Sequence, residues 1–153
     1  MEHVPALLLY ARQQARCEAD AQDLVQEATL ECWRRRPADG KPALPLAYAT
    51  IRRRAIDLAR SSERRTAREN AAMDDAPQAW FDESLEQRER ASALQRALAG
   101  LPQIHREVIT LKVWGELTFD EIADALEIPA NTAASRYRYG LEQLRGAVKE
   151  IFA

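Results

Sequence analysis

Apolar residues recur along this chain at intervals of three and four, and no stretch alternates as a half-buried strand would. Pro5 to Cys17 reads as a first helix, with Leu8, Leu9 and Arg12 good helix formers. A second runs from an N-cap at Asp20 to about Arg36, where Pro37 and Gly40 stop it. Leu24, Val25, Ala28 and Cys32 form its apolar stripe and Trp33 closes its end, while Asp23, Gln26 and Glu27 share another side. After the Pro37–Pro45 loop, a third helix spans Leu46 to Arg68, in which Leu46, Ile51, Ala55 and Leu58 reach a core. Asn70 to Ser84 is polar and acidic and reads as a linker. Its adjacent aromatics, Trp80 and Phe81, either tuck against a neighbouring domain or dock on a partner.

A fourth helix covers Leu85 to Ala99 and ends at Gly100. Pro102 opens a fifth, where its missing N–H costs nothing. Ile104, Val108, Leu111 and Trp114 make its stripe, and Gly115 suits the C′ position. From Leu117 to Leu144 the pattern is helix, short turn, helix. Thr118 and Glu121 have the spacing of a capping box, and Pro129 breaks the first helix. In the second helix Ala133, Tyr137, Leu141, Leu144 and Val148 form one buried stripe. Its other side carries Asn131, Thr132, Ser135, Arg136 and Arg138, the layout of a helix-turn-helix that offers polar and cationic groups to a major groove. The pattern therefore predicts an all-α chain of two small helical domains, 1–68 and 85–153, joined by an acidic linker over 69–84.

Composition narrows the picture. The chain is 46% hydrophobic and 30% charged with five glycines, which suits a folded helical protein rather than a disordered one. Two cysteines do not make a disulfide scaffold, and Cys17 and Cys32 read as small buried thiols. No segment is long and apolar enough for a membrane span, and the start lacks the pattern of a signal peptide, so a cytoplasmic protein without membrane insertion is expected.

The net charge of −2 hides blocks of opposite sign. Five acids and no base lie between Glu18 and Glu31; taken alone, that is a solvated face or a docking one. Arg34 to Arg68 holds eleven bases against three acids, and Asn131 to Lys149 holds four against one, with an acidic block between them. Two basic blocks separated by an acidic one point to two contacts with a polyanion. No phosphate-cradling Gly-rich loop, metal-ligand spacing or nucleophile–base pair is present, and His3 and His105 stand alone. Binding rather than catalysis is what these residues offer, with no cofactor and no metal.

Two separated stretches resemble one family, the small extracytoplasmic-function (ECF) type of bacterial RNA polymerase sigma factor. DAQDLVQEATLECWRR (Asp20 to Arg35) is similar to the family's core-polymerase-binding helix, and RRRAIDLAR (Arg52 to Arg60) to the promoter-melting helix that follows. Leu101 to Arg145 is similar to its C-terminal helix-turn-helix domain. The resemblance implies a region 2-like three-helix domain and a region 4-like domain in a promoter-specificity subunit, not an enzyme. It further implies that Asp23, Gln26 and Glu27 dock on the clamp helices of the largest polymerase subunit. Tyr48, Arg52, Arg53, Arg54 and Arg60 would then meet the −10 element, with exposed bases captured under the Pro37–Pro45 loop. Asn131, Thr132, Ser135, Arg136 and Arg138 would read the −35 duplex. Its implied partners are core RNA polymerase (clamp helices and flap), promoter DNA and an anti-sigma factor. Departures are Leu46 and Arg53 where tryptophan and asparagine are common, Glu127 in place of the turn glycine, and Ala134 and Tyr139 where bases are frequent. The rival readings are a sigma-like decoy that binds an anti-sigma factor and a stand-alone helix-turn-helix regulator.

Overall fold

A computed structural model describes residues 2–36, 38, 40, 43–69, 78–82, 84 and 87–151, with backbone alone for 62–69. Among these residues it is all-α. Helices α1 (Val4–Gln14), α2 (Glu18–Arg34) and α3 (Leu44–Glu69) pack pairwise against one another. Pro5 sits in the first turn of α1, where no N–H is needed. That helix stops at Gln14, short of the expected Cys17, because Ala15 is extended. Cys17 rather than Asp20 then takes the N-cap position of α2, and Asp20 lies in the first turn, where its charge meets the positive helix end. Cys17 is exposed in this turn, which corrects the expectation of a buried thiol; Cys32 is half-buried. Trp33 does not close a core either, being 69% exposed. Residues 37, 39, 41 and 42 of the expected Pro37–Pro45 loop lie outside the described residues, and α3 already begins at Leu44.

The C-terminal half comprises α4 (Arg88–Ala99), α5 (Gln103–Val113), α6 (Phe119–Leu126) and α7 (Ala130–Ile151). Leu85, the expected start of α4, lies outside the described residues. The capping box forms as the spacing predicts: Glu121 N–H donates to Thr118 Oγ1 at 3.2 Å and Thr118 N–H to Glu121 Oε1 at 3.0 Å. Glu127 ends α6 in the left-handed region (φ 57°), so a glutamate carries a conformation better suited to glycine. Gly115 is not left-handed as expected at a C′ position; Glu116 is (φ 55°). Space explains Gly115 instead. A Cβ there would come within 2.6 Å of Leu111 O and 2.9 Å of the Tyr48 hydroxyl.

The two halves share a core. One apolar cluster runs from Leu7, Tyr10, Leu24, Tyr48 and Ile51 to Val108, Leu111, Leu117, Ile122 and Leu126. Each fully buried aliphatic side chain contributes roughly 1.5–3 kcal/mol. Contacts of α3 with α6 and of α1 with α5 form the joint. A second, smaller cluster of Leu98, Leu101 and Ile109 receives Trp80 and Phe81. Phe81 lies 5.8 Å from Trp114 between ring centroids, and the Arg106 guanidinium lies over Trp80 at 5.8 Å. The linker aromatics thus tuck against the C-terminal domain. Residues 70–77 of the linker lie outside the described residues.

Candidate polymerase and nucleic-acid interface

Three surfaces gather the residues that the sequence singles out. The first is on α2. The spacing of Leu24, Val25 and Ala28 turns those side chains inward, so Asp23, Gln26 and Glu27 come out together on the exposed side. Leu30, 48% exposed, continues the same stripe one turn on. Glu27 Oε2 lies 3.5 Å from Arg54 Nε, an ion pair between two exposed side chains that links this face to α3. Such a pair contributes little to stability, roughly 0–1 kcal/mol.

The second surface is on α3. Arg53, Arg54 and Arg60 are exposed, as a nucleic-acid contact requires. Tyr48 is not: at 1% exposure it packs edge-on against Tyr10, with centroids 5.5 Å apart, and its hydroxyl reaches towards Gly115 of the other half. Burial raises its pKa above the ordinary tyrosine value. The expectation of Tyr48 as a DNA-facing aromatic is therefore corrected to a core residue at the joint. Its i−1 and i+3 neighbours, Ala47 and Ile51, are buried with it, and that stripe faces inward. Arg52 is half-buried. Its Nε donates to Glu107 Oε1 at 3.3 Å, and the Tyr10 hydroxyl donates to the same oxygen at 3.0 Å. Glu107, on α5, is only 3% exposed. Burial, then the Glu107 charge, hold the Tyr10 pKa well above its ordinary value.

The third surface is on α7. Ala133 is fully buried, with Tyr137, Leu141, Leu144 and Val148 half-buried beside it. Gly140 lets α7 approach α5 closely, since a Cβ there would lie 2.9 Å from His105 Cβ and from Ile109 Cδ1. With that stripe anchored, Asn131 and Arg138 are exposed, while Thr132, Ser135 and Arg136 are half-buried. The Arg138 guanidinium lies 5.2 Å from the ring centroid of Tyr139, itself 54% exposed.

A fourth cluster was not foreseen. Arg12, 8% exposed, binds Glu18 through two hydrogen bonds, Nε–Oε2 at 2.8 Å and Nη2–Oε1 at 2.7 Å. The same guanidinium donates to Trp80 O and to Asp82, both at 3.1 Å. Gln95 of α4 completes the fastening, accepting from Trp80 N–H at 2.9 Å and donating to Gln78 O at 2.7 Å. The Arg12 hydrogen bonds lower the Glu18 pKa to about 2. Hydrogen bonds to Glu18 and Asp82 raise that of Arg12 against the effect of its burial. No hydropathy period marks the burial of Arg12 or Glu107: Arg12 meets Trp80 and Asp82 of the linker as well as the nearby Glu18, and Glu107 meets Tyr10 and Arg52 from far away in the chain, which spacing alone could not have found.

Comparison with known proteins decides the family. Residues 1–65 match the model of sigma-70 region 2 and residues 91–144 that of sigma-70 region 4. The RNA polymerase sigma-E factor of Streptomyces avermitilis is 33% identical over 140 residues, covering 92% of this chain and 77% of that protein. The chain belongs to the ECF sigma factors of RNA polymerase. ECF sigma factor SigL of Mycobacterium tuberculosis is 31% identical over 158 aligned positions, covering 98% of this chain and 86% of its own. The same fold occurs in the sigma factor RpoE of Bartonella quintana, solved in complex with the anti-sigma factor NepR. That match has a TM-score of 0.70 at 19% identity and covers 95% of this chain and 91% of that one. As an ECF sigma factor, the chain is a transcription initiation factor with region 2 and region 4 domains. No helix among the described residues is long and apolar enough to cross a membrane.

Proposed function

We propose that this sigma factor acts without catalysing a reaction, in the cytoplasm, by carrying core RNA polymerase to promoters through three separate faces. Asp23, Gln26 and Glu27 dock on the clamp helices of the largest subunit, where a small cluster of acid and amide groups orients the complex on a basic, polar partner. Arg52, Arg53, Arg54 and Arg60 hold the −10 strand, mainly by its phosphates. Asn131, Thr132, Ser135, Arg136 and Arg138 read the −35 duplex, with the C-terminal domain held near the polymerase flap. The acidic linker over 69–84 joins the domains 1–68 and 85–153, and an anti-sigma factor restrains the whole.

The observation that carries this reading is the stripe on α2. Asp23, Gln26 and Glu27 are exposed in a row on a helix whose opposite side is fully packed, next to a helix covered with arginines. An acidic face beside a basic one suits a chain that must hold protein with one and DNA with the other. Reconstitution with core polymerase, followed by sequencing of transcripts from DNA of the same genome, tests it. Initiation at a defined promoter set is expected. Absence of both transcripts and a complex with core would overturn it. The residue-level test is Asp23→Ala with Gln26→Ala, expected to abolish core binding while the helical circular dichroism is retained.

A further inference from the structure

We propose that Tyr139 is a specificity-determining residue of the recognition helix: its ring positions the Arg138 guanidinium, and the pair selects a guanine in the −35 duplex. This rests on the reading of α7 as the −35 surface. Three observations carry it.

First, the phase of α7 puts Tyr139 on the outward side. It stands four residues after Ser135 and seven after Thr132, one and two turns along the same side, and Arg138 stands seven after Asn131. Tyr137 has the opposite phase and packs against Phe119, with ring centroids 5.7 Å apart. Gly140, the next residue, is buried and lies too close to His105 and Ile109 to accept a Cβ, which fixes the rotation of the helix at this point. Tyr139 is left 54% exposed, outside both apolar clusters of the described residues.

Second, the Arg138 guanidinium lies over that ring, 5.2 Å from its centroid. Glu142, exposed and four residues on, has the spacing of an ion-pair partner, but no salt bridge of Arg138 occurs among the described residues. Arginine before glutamate is the weaker order for such a pair. An aromatic face, by contrast, holds a guanidinium without using its N–H groups. Third, the side chains around the pair reach less far. Ala134 carries no polar group, and Thr132, Ser135 and Arg136 are half-buried.

The chemistry that fits is a guanine edge. Its O6 and N7 accept two N–H groups from one planar fork, and a fork already set in place loses less freedom on binding. A phosphate contact would carry no sequence information. Tyr139 thus acts through Arg138, as a positioning residue that turns a long cation into a base reader.

The test uses holoenzyme reconstituted from core polymerase and the full chain. Its template pool carries a promoter mapped with the wild-type chain, with the −35 element randomised, and transcripts are sequenced. Wild type is expected to enrich guanine at one −35 position roughly tenfold over the other bases. Tyr139→Phe keeps the ring and should keep that enrichment. Tyr139→Leu keeps apolar bulk without the ring and should lower it below about threefold. Arg138→Ala should abolish it, and adding Tyr139→Leu to Arg138→Ala should change nothing more, because the two act as one unit. Undiminished guanine enrichment in Tyr139→Leu would overturn the inference and leave the −35 reading intact. Loss in Tyr139→Phe equal to that in Tyr139→Leu would overturn it too, since the hydroxyl rather than the ring would be at work. If the wild-type holoenzyme initiates but selects no base in the −35 element, the −35 reading falls and the inference with it.

Discussion

Helices α3 and α7 both carry arginines on an otherwise packed amphipathic helix, but they sit in opposite surroundings. On α3, Arg52 is drawn into a joint with Glu107 and Tyr10, and Tyr48 one turn earlier is wholly enclosed. On α7, Asn131 and Arg138 face outward, with the Arg138 guanidinium beside Tyr139. The difference teaches that a basic helix is not yet a DNA-binding surface. What decides is whether another part of the chain reaches its charges first. On α3 the second domain reaches Arg52 and leaves Arg53, Arg54 and Arg60 exposed; on α7 nothing among the described residues pairs with Arg138 through a salt bridge.

The comparison can be broken most strongly at Tyr48. Tyr48→Ala empties the centre of the joint and is expected to cost about 3–5 kcal/mol of unfolding free energy. Arg138→Ala, on the open helix, should cost less than about 0.5 kcal/mol. Chemical denaturation of both variants checks the pair; comparable losses would mean that Tyr48 is not central to the joint.

Next in size is DNA binding by the open helix. Arg138→Ala is expected to weaken −35 duplex binding by about 1–3 kcal/mol if the guanidinium reads a base edge. If it holds a phosphate, the loss should be uniform across sequences and the slope of log affinity against log salt should fall by about one. A salt titration on specific and mixed duplexes separates the two.

Smaller again is the strain at the helix-turn-helix turn. Glu127→Gly relieves a left-handed glutamate and is expected to raise stability by about 1 kcal/mol, read from the denaturation midpoint. No gain would mean that the Glu127 side chain makes up for its own strain.

The smallest expected effect concerns the linker strap. The folded pKa of Glu18, about 2, lies below its ordinary value of 4.5, chiefly through hydrogen bonds from Arg12. Its contribution is therefore fully present above about pH 4.5 and is lost as the pH falls towards 2. Because Glu18 is 43% exposed, solvent screening keeps that contribution modest. Tryptophan fluorescence of Trp80 during acid titration should show release over this window, and Glu18→Gln should flatten it.

Much of this architecture is legible in the sequence, because helices report themselves through local period. The capping box of Thr118 and Glu121, the stop at Pro129, the stripe of Ala133 and Tyr137 and the exposure of Asp23, Gln26 and Glu27 all follow from spacing within one element. The period of that face is equally that of a solvated helix; the docking role proposed for it rests on family resemblance. What spacing could not supply is which buried stripe meets which. Tyr48 has the residue type of a DNA-stacking aromatic, but its phase on α3 matches that of Ile51 and Ala55 and places it inside. Glu107 reads as an ordinary helix acid until Tyr10 and Arg52 arrive from elements far away in the chain. Cys17 fits a helical run by propensity and falls in a turn because Ala15 is already extended.

The most direct measurement is the distance between the two domains in the free chain. Spin labels at the exposed Cys17 and at Ser92→Cys on α4, in a Cys32→Ser background, report it. The account predicts one short, narrow distance distribution for the free chain, broadened by Glu107→Gln, which removes the carboxylate that Arg52 and Tyr10 share. A broad distribution centred at long distance in the wild-type chain would contradict it.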